Sequence, residues 1–252
     1  MELEGGLFFV QGFNRREEYG SLYKQISSGG EDGITSKFFP NKWLRTTEHI
    51  PNHAIDFQKI ASAIHTHAKH NRAILVGVPH VEQKLWQKTK KNCLDLPSVV
   101  LPLDIEKKWH EVALPEGATI ENTPLRTIVE AELKTIFPKH PNLGYVARYS
   151  ATARIKRENP QLRIRIYVLL DKPVAYVERV QRFAGLETDD AVFEYNCLDL
   201  IQPALVMDRG VDTYERPYEE IIWEEGERLP IDDFEKKHTR TAEERHQQKG
   251  TD

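Results

Sequence analysis

Alternation of apolar and polar side chains is clearest in the segment 162–170, LRIRIYVLL. Successive side chains of a β-strand point to opposite faces of the sheet, so residues two apart share a face. The segment is therefore predicted to be a strand with one apolar face and one face that carries Arg163, Arg165 and Tyr167. The segment 144–150, GYVARYS, also has the pattern of a strand, and a loop of 11 residues separates the two. We expect them to pair as an antiparallel hairpin.

A second apolar run, residues 99–103, ends in two carboxylates, Asp104 and Glu106. A short β-branched run bounded by prolines is typical of a buried strand. Its alternation places both carboxylates on one face, where two like charges repel unless a cation lies between them or one is protonated. The pair therefore indicates either a cation site or, as is common for a lone Asp-x-Glu, a strand that ends in a solvated acidic loop.

The rest of the chain shows both helical and strand periodicities. Apolar residues recur at helical spacing in 57–68, after the N-cap candidate Asp56, and again in 125–137. Residues 14–42, which are rich in glycine, serine and charge, are predicted to be an irregular connector. Further predicted elements are strands at 5–13, 43–47 and 73–78, a basic helix at 81–92 and a helix at 173–183. These elements agree with an α+β protein but do not by themselves require one.

A third carboxylate, Asp199, lies inside the apolar segment 196–206, NCLDLIQPALV. Burial of a lone carboxylate is costly unless it has a partner. Asp199 is therefore a candidate third ligand for a cation shared with Asp104 and Glu106.

The polar side of the predicted hairpin is strongly basic. Between residues 139 and 165 there are seven Lys or Arg residues and one acid, Glu158. Such a density, opposite a face that belongs to the core, suits an anionic ligand. An arginine-rich face exposed to water has the same pattern, so both interpretations stay open at this point.

Composition narrows the class of protein without selecting a function. The 252 residues contain 29% charged and 39% hydrophobic side chains, as in globular proteins with a polar surface. No apolar stretch approaches the roughly 18 to 20 residues of a membrane span, and the N-terminus lacks the features of a signal peptide. The two cysteines, Cys93 and Cys197, lie far apart, which favours a cytoplasmic location and argues against a cysteine zinc site. The net charge of −4 neither requires nor excludes a nucleic-acid partner.

Four motifs occur in an order and spacing that resemble the archaeo-eukaryotic primase superfamily, and in particular the primase-polymerases of phages and other mobile elements. They are LPLDIE (101–106), YSATARI (149–155), LRIRIYVLLDKP (162–173) and LDLIQPALVMDRGVDTYERP (198–217). The likeness covers most of residues 43–218. It implies an α+β fold in which a catalytic core with an antiparallel sheet of RNA-recognition-motif (RRM) type packs beside an N-terminal αβ unit. The implied boundaries are about 1–98 for the N-terminal unit, about 99–232 for the core and 233–252 for a charged tail.

In that family, two acids on one strand and a third on a neighbouring strand hold divalent metals. The resemblance assigns these catalytic and metal-binding roles to Asp104, Glu106 and Asp199, with Mg²⁺ or Mn²⁺ as the cofactor. The family's hairpin motif binds the phosphates of the incoming nucleotide, which here implies Ser150 and Thr152. The cations expected to face the triphosphate are Arg163, Arg165 and Lys172.

Arg165 is the main departure from the family pattern. The family usually has a histidine at the position that aligns with Arg165 in the second hairpin strand. An arginine is always charged and offers a fork that suits phosphate oxygens. We therefore expect Arg165 either to replace the histidine as a triphosphate ligand or to mark a copy that has lost polymerase activity.

The resemblance implies a DNA primase or primase-polymerase, a nucleotidyltransferase that synthesises primers or DNA on a single-stranded DNA template during replication of a phage or mobile element. Its substrates would be nucleoside triphosphates, a replicative helicase would be a separate partner, and no membrane would be involved. Six basic residues are expected to contact template phosphates: Lys84, Lys88, Lys91, Arg154, Lys156 and Arg157.

Two alternatives compete with this assignment. Asp95 followed by Glu106 and Lys108 has the spacing of a PD-(D/E)xK nuclease, although that assignment leaves Asp199 and the basic hairpin unexplained. The second alternative is a nucleic-acid-binding replication protein on a primase fold that has lost catalysis, which the arginine at position 165 motivates.

Overall fold

The chain is described by a computed structural model, which shows an α+β protein. The residues it describes are 4–13, 23–28, 34–39, 43–70, 72–75, 78–79, 93–153, 155–156, 160–183, 185–186, 188, 193, 198–201, 205–206, 211–214 and 220–236. The α-helices in these ranges are α1 (Phe57–Ala68), α2 (Leu125–Ile136) and α3 (Tyr176–Phe183). The strands are β1 (Gly6–Phe13), β2 (Tyr23–Ser28), β3 (Ile34–Phe39), β4 (Trp43–Pro51), β5 (Ala73–Leu75), β6 (Val78–Pro79), β7 (Cys93–Leu94), β8 (Ser98–Lys108), β9 (Tyr145–Tyr149), β10 (Gln161–Val174), β11 (Leu198–Leu200), β12 (Leu205–Val206) and β13 (Ile221–Glu224).

The first sheet is antiparallel and has the strand order β11-β5-β1-β4. Its inner strand β1 is apolar on both faces: Leu7 and Phe9 join one core cluster, while Phe8 and Val10 join another. Strands covered on both faces have continuous apolar runs instead of alternation, which explains the sequence LFFV in this strand. Strand β4 pairs with β1 along its whole length and is longer than the predicted strand at 43–47.

The second sheet is also antiparallel, with the order β13-β9-β10-β8. Strands β9 and β10 form the hairpin that the sequence predicted. Strand β10 has 14 residues and pairs with the strand that carries the two carboxylates. The sheet therefore brings the two most strongly patterned segments of the sequence side by side.

The two faces of the second sheet are covered by different parts of the chain. One face carries the alternating apolar residues of β10, which pack in a single cluster with α2 and α3. The opposite face contributes Val146, Tyr167 and Leu169 to a second cluster, which also contains Phe9 of the first sheet and Ile60 of α1. The second sheet thus lies between two helices on one side and the first sheet with α1 on the other.

Helix α1 begins and packs as its sequence predicts. The side chain of Asp56 accepts a hydrogen bond of 2.6 Å from the backbone N–H of Lys59, which satisfies one of the donors left open at a helix N-terminus. Phe57, Ile60 and Ile64, three and four positions apart, are buried on one side of the helix.

The expected irregular connector at 14–42 is wrong in part. Strands β2 and β3 in this region form an antiparallel hairpin, and β12 adds a parallel strand to it. The composition of the region is typical of a loop, but backbone pairing between neighbouring segments does not require apolar side chains. The structure of this region therefore depends on backbone pairing between strands, one of which lies about 180 residues away in the chain, and not on the local sequence pattern.

Helix α3 begins three residues later than predicted, at Tyr176, because β10 continues through Val174. The predicted basic helix at 81–92 lies outside the described residues. Among the helices that the structure describes, none is both long and apolar enough to cross a membrane.

Candidate functional site

Asp104 and Glu106 lie on one face of β8, near the end of the strand. The residue between them, Ile105, is 1% exposed and belongs to the core on the opposite face. The side chains of Asp104 and Glu106 are 21% and 50% exposed, respectively. The alternation of the strand therefore presents two carboxylates to solvent from a buried backbone.

The register of the second sheet places an arginine opposite each of these acids. Arg165 of β10 faces Asp104, and Arg163 faces Glu106. The distance from Nη2 of Arg165 to Oδ2 of Asp104 is 2.9 Å, and Arg163 donates to Glu106. Arg163 also donates a 3.0 Å hydrogen bond to the hydroxyl of Thr152. Side chains directly opposite each other in antiparallel strands are close neighbours, so these contacts follow from the register.

Asp199 reaches the same place from the other sheet. It lies on β11, which pairs with β5 of the first sheet. Its buried carboxylate accepts hydrogen bonds from Arg148 on one oxygen and from the Tyr167 hydroxyl on the other. Nε of Arg165 lies 3.4 Å from Oδ1 of Asp199. Arg165 therefore lies between Asp199 and Asp104, which are 95 positions apart in the chain.

We call this set of six charged side chains the acid–arginine cluster. Three are carboxylates and three are guanidiniums, so their formal charges balance. Its members are Asp104, Glu106, Asp199, Arg148, Arg163 and Arg165.

The charges in the buried part of the cluster stabilise one another. Burial by itself raises the pKa of the Asp199 carboxyl, but the Arg148 and Arg165 guanidiniums more than offset this and hold the pKa below its usual value. Burial also raises the pKa of the Tyr167 hydroxyl, and the neighbouring Asp199 carboxylate raises it further. Tyr167 therefore stays protonated and acts as a hydrogen-bond donor to an ionised Asp199.

Sequence reasoning singled out Asp199 but missed the residues that hold it. Arg148 is 2% exposed within a strand that is buried throughout, and Tyr167 is 1% exposed. A signal for Arg148 was present, because a charged residue inside an apolar run is the same feature that identified Asp199. Tyr167 has no comparable signal, since tyrosine is common in strands.

The loop between β9 and β10 carries the predicted phosphate-binding residues. The backbone N–H of Ser150 donates to the carbonyl of Arg163 at 3.0 Å, and Thr152 is buried beside the Arg163 guanidinium. Lys156 is exposed, and its Nζ lies 5.5 Å from the centre of the Tyr214 ring. Thr152 therefore belongs at the edge of the cluster, while Lys156 lies on the surface of the loop.

Five of the six residues expected to contact nucleic acid are outside the residues described. They are Lys84, Lys88, Lys91, Arg154 and Arg157.

The structure does not bring Lys172 to the cluster, contrary to expectation. Lys172 is nine positions beyond Arg163 on the same strand, a separation of about 30 Å at 3.3 Å per residue. Its ammonium pairs instead with Asp232 at 2.6 Å on the surface. Its location at the far end of β10 removes it from the predicted nucleotide site.

The residues of the nuclease alternative are also separated. Asp95 accepts a hydrogen bond of 2.6 Å from the backbone N–H of Tyr176, close to where β8 begins. Glu106 lies near the other end of β8, eight residues after Ser98, or about 26 Å along the strand. A PD-(D/E)xK site needs both carboxylates on one metal, so this arrangement argues against it.

A cleft of about 610 Å³ opens beside the exposed acids. Thr188 lies directly beside the strand: its hydroxyl accepts from the Asp104 N–H at 2.8 Å and donates to the Asp104 carbonyl at 3.2 Å. These bonds hold the backbone that carries the Asp104 carboxylate. The cleft is lined by Asp104, Ile105, Glu106, Lys107, Glu111, Leu186 and Thr188.

Two of the three predicted metal ligands fit a divalent cation in this arrangement. Asp104 and Glu106 offer carboxylate oxygens, the donors that Mg²⁺ and Mn²⁺ prefer, at the wall of an open cleft. Asp199 is buried, and both its oxygens accept hydrogen bonds from Arg148 and Tyr167. A cation at Asp104 would reach Asp199 only if Arg165 moved. Within the described ranges no three acidic, histidine or cysteine side chains are arranged to hold a metal ion.

Comparisons of the chain with models of protein families, with curated proteins and with solved structures find no match.

Proposed function

We propose that the protein is a metal-dependent nucleotidyltransferase of the primase-polymerase type, which extends a strand on single-stranded DNA. The observation that carries this proposal is the register of β8 and β10. It sets an arginine of β10 opposite each of two partly exposed carboxylates of β8, and these carboxylates line one cleft. Carboxylates suit divalent cations, and guanidinium forks suit the oxygens of a triphosphate.

Each residue has a role in this chemistry. Asp104 and Glu106 would hold Mg²⁺ or Mn²⁺, which in nucleotidyl transfer activates the attacking 3′-oxygen and steadies the leaving pyrophosphate. Arg163 and Arg165 would orient the triphosphate, with the Thr152 hydroxyl holding the Arg163 guanidinium. Asp199 would act through the arginines, because its contacts with Arg148 and Arg165 keep these cations in place.

The second sheet, with α2 and α3 packed on one face, would be the catalytic core, and the first sheet with α1 would be the accompanying N-terminal unit. The strands β9, β10 and β8 have the order expected of an RRM-type sheet, but β13 pairs with β9, whereas the fourth strand of an RRM pairs with the first. In this arrangement the acid–arginine cluster lies where the two sheets meet, since Asp199 comes from one and the remaining members from the other. Strand β11 lies in the part of the sequence assigned to the core, but it pairs with β5 in the first sheet, so the first sheet is built from both parts of the sequence.

The template would follow the basic loop after β9. Lys156 is exposed there, and we assign to it, together with Lys84, Lys88, Lys91, Arg154 and Arg157, contacts with backbone phosphates that do not depend on base sequence. Nucleoside triphosphates would be the substrates, and a separate helicase would supply the single strand. The cytoplasm of a bacterial or host cell is the compartment in which such replication takes place.

A polymerisation assay tests this proposal. Purified protein is incubated with single-stranded DNA, labelled ribo- or deoxynucleotides and Mg²⁺ or Mn²⁺, with and without a primer. We expect new strands from the wild type and at least a hundredfold less from Asp104→Ala, because the substitution removes one of the two carboxylates proposed to hold the metal. The matched control is Asp232→Ala, which removes an exposed carboxylate at a remote ion pair and should leave the yield unchanged.

The outcomes separate the alternatives. Strands made without a primer would identify a primase, and extension of a primer alone would identify a polymerase that does not initiate. Degradation of the template that survives Asp199→Ala would favour a nuclease and overturn the proposal. Failure to make any product under all these conditions would also overturn it.

A second candidate, a nucleic-acid-binding protein without catalysis, is favoured by one observation. Every carboxylate of the acid–arginine cluster is paired with a guanidinium, as in a network that serves only to join two sheets. Such a protein would bind single-stranded DNA equally well with Mg²⁺ and with a chelator, and would make no product.

A further inference from the structure

The carboxylates of Asp104 and Glu106 are each paired with the arginine that faces them. Nη2 of Arg165 is 2.9 Å from Oδ2 of Asp104, and Arg163 donates to Glu106. A divalent cation that binds the same oxygens must compete with both guanidiniums. Each acid thus has an arginine partner inside the protein and a candidate partner from solution.

Arg165 has unused capacity to donate hydrogen bonds. Its side chain is 11% exposed, and its Nη1 is buried without a hydrogen-bond acceptor among the residues described. A buried guanidinium donor without an acceptor is unusual in a folded protein. The oxygen atoms of a phosphate group, which accept hydrogen bonds and carry negative charge, are the partners that its fork geometry fits.

Charge balance links the binding of a cation by the carboxylates to the binding of a triphosphate by the arginines. The carboxylates and guanidiniums of the acid–arginine cluster neutralise one another, so removal of either set from its partners leaves uncompensated charge in a partly buried site. A cation on Asp104 and Glu106 would release these carboxylates from the two guanidiniums, which keep their contacts with Thr152 and Asp199, and a triphosphate would then take the place of the carboxylates. Each ligand therefore removes the charge imbalance that the other creates.

We propose that Arg163 and Arg165 exchange partners, from the carboxylates of Asp104 and Glu106 to the triphosphate of the incoming nucleotide, when a divalent cation binds. This inference rests on the proposed function and adds a regulatory property to it. The ion pairs suppress the binding of metal alone and of nucleotide alone, so that the two bind cooperatively. Coupling between two sites in proteins is typically about 5- to 150-fold.

The substitution Arg165→Met tests the exchange, because it removes the competing cation and keeps much of the side-chain volume. Mn²⁺ binding is measured by electron paramagnetic resonance without nucleotide, so that chelation by a triphosphate makes no contribution. We expect R165M to bind Mn²⁺ about tenfold more tightly than the wild type. We also expect it to bind a non-hydrolysable deoxynucleoside triphosphate analogue about tenfold more weakly at saturating Mg²⁺.

Two further variants test whether the effects come from the ion pairs of the cluster. Arg163 forms the more exposed pair, with Glu106, and Arg163→Met should change the affinities for Mn²⁺ and for the nucleotide analogue in the same directions as R165M. This variant therefore tests the proposal even if R165M does not fold. Arg126→Met is the matched control, since Arg126 pairs with Glu224 at a surface site away from the cleft and should leave both affinities as in the wild type. Circular dichroism melting shows which variants are folded.

The failure of this inference is distinguishable from failure of the proposed function. If Asp104→Ala abolishes Mn²⁺ binding but folded R165M and R163M bind Mn²⁺ no more tightly than the wild type, the exchange is overturned and the metal site stands. Tighter Mn²⁺ binding with unchanged affinity for the analogue would also overturn the exchange. If neither the wild type nor the variants bind Mn²⁺, both proposals are overturned.

Discussion

At the scale of single residues, burial shifts the pKa of titratable side chains away from their usual values. His67 of α1 is 2% exposed and stacks on Phe9, with ring centroids 4.1 Å apart. Its Nε2 lies 2.6 Å from a Glu48 carboxylate oxygen, and Arg72 donates to its Nδ1 at 2.8 Å. A ring that accepts at Nδ1 and donates at Nε2 is neutral. Burial lowers the pKa of His67, and the Glu48 carboxylate opposes this only in part.

This lowered pKa predicts a pH-dependent stability. The unfolded chain binds a proton on His67 below about pH 6.5, whereas the folded chain does so only at lower pH. The free energy of unfolding should therefore be highest above about pH 6.5 and should fall as the pH decreases toward the folded pKa. Urea unfolding at pH 7.5 and pH 5.5 measures the difference.

The matched variants for this prediction lie on the same helix. His67→Gln should show a smaller loss of stability between pH 7.5 and 5.5 than the wild type, because it has no proton to gain. His65→Gln, at an exposed position two residues earlier, should retain the wild-type pH dependence. An identical pH dependence in the wild type and His67→Gln would contradict the assignment.

At the scale of secondary-structure elements, local signals place the start of α1 correctly. Asp56 has extended backbone angles, and its side chain accepts from the Lys59 N–H. The cap was predictable because the acceptor and the donor are three residues apart in the chain, so that no distant contact is required.

The contribution of the Asp56 cap to the free energy of unfolding can therefore be predicted. Asp56→Ala should lower the free energy of unfolding by about 1 kcal/mol, because the Lys59 N–H loses its acceptor. Asp56→Asn keeps an oxygen at the same place and should cost only a few tenths of a kcal/mol by the same ranking. Chemical denaturation of the three proteins checks this, and equal losses in the two variants would rule out the cap as the cause.

At the scale of the whole molecule, the first and second sheets are joined by a buried ion pair as well as by the apolar core. Asp199 of the first sheet and Arg148 of the second are 3% and 2% exposed. Removal of one partner of such a pair leaves a buried charge without compensation, which typically costs about 3 to 5 kcal/mol. The contact therefore links the packing of the sheets to the position of the candidate site.

This link predicts a large effect from a single substitution. Asp199→Ala should lower the free energy of unfolding by about 3 kcal/mol or more, because Arg148 stays buried without its partner. Asp232→Ala, at the exposed pair with Lys172, should change it by less than about 1 kcal/mol. The double variant Asp199→Leu with Arg148→Met should be considerably more stable than Asp199→Ala, because no charge of this pair stays buried. If its loss of stability equalled the sum of the losses of the single variants Asp199→Leu and Arg148→Met, this would argue against direct pairing.

The sequence by itself determined the features that depend on neighbours within a few residues. It predicted the shared face of Asp104 and Glu106, the apolar and basic faces of β10, the β9–β10 hairpin and the cap of α1. It also singled out Asp199, because an acid inside an apolar run must find a partner. All these signals are local, since strand alternation and helix capping act over two to four residues.

Only the tertiary structure decided which residues meet. The register of β8 against β10 sets Arg165 opposite Asp104, and the pairing of β11 with β5 carries Asp199 to the same place from another sheet. The tertiary structure also places Lys172 and Asp95 away from the cluster. In the same way, the β2–β3 hairpin forms in a segment with a loop-like composition. Register between distant strands depends on how all the apolar faces are buried together, and that information is spread over the whole chain.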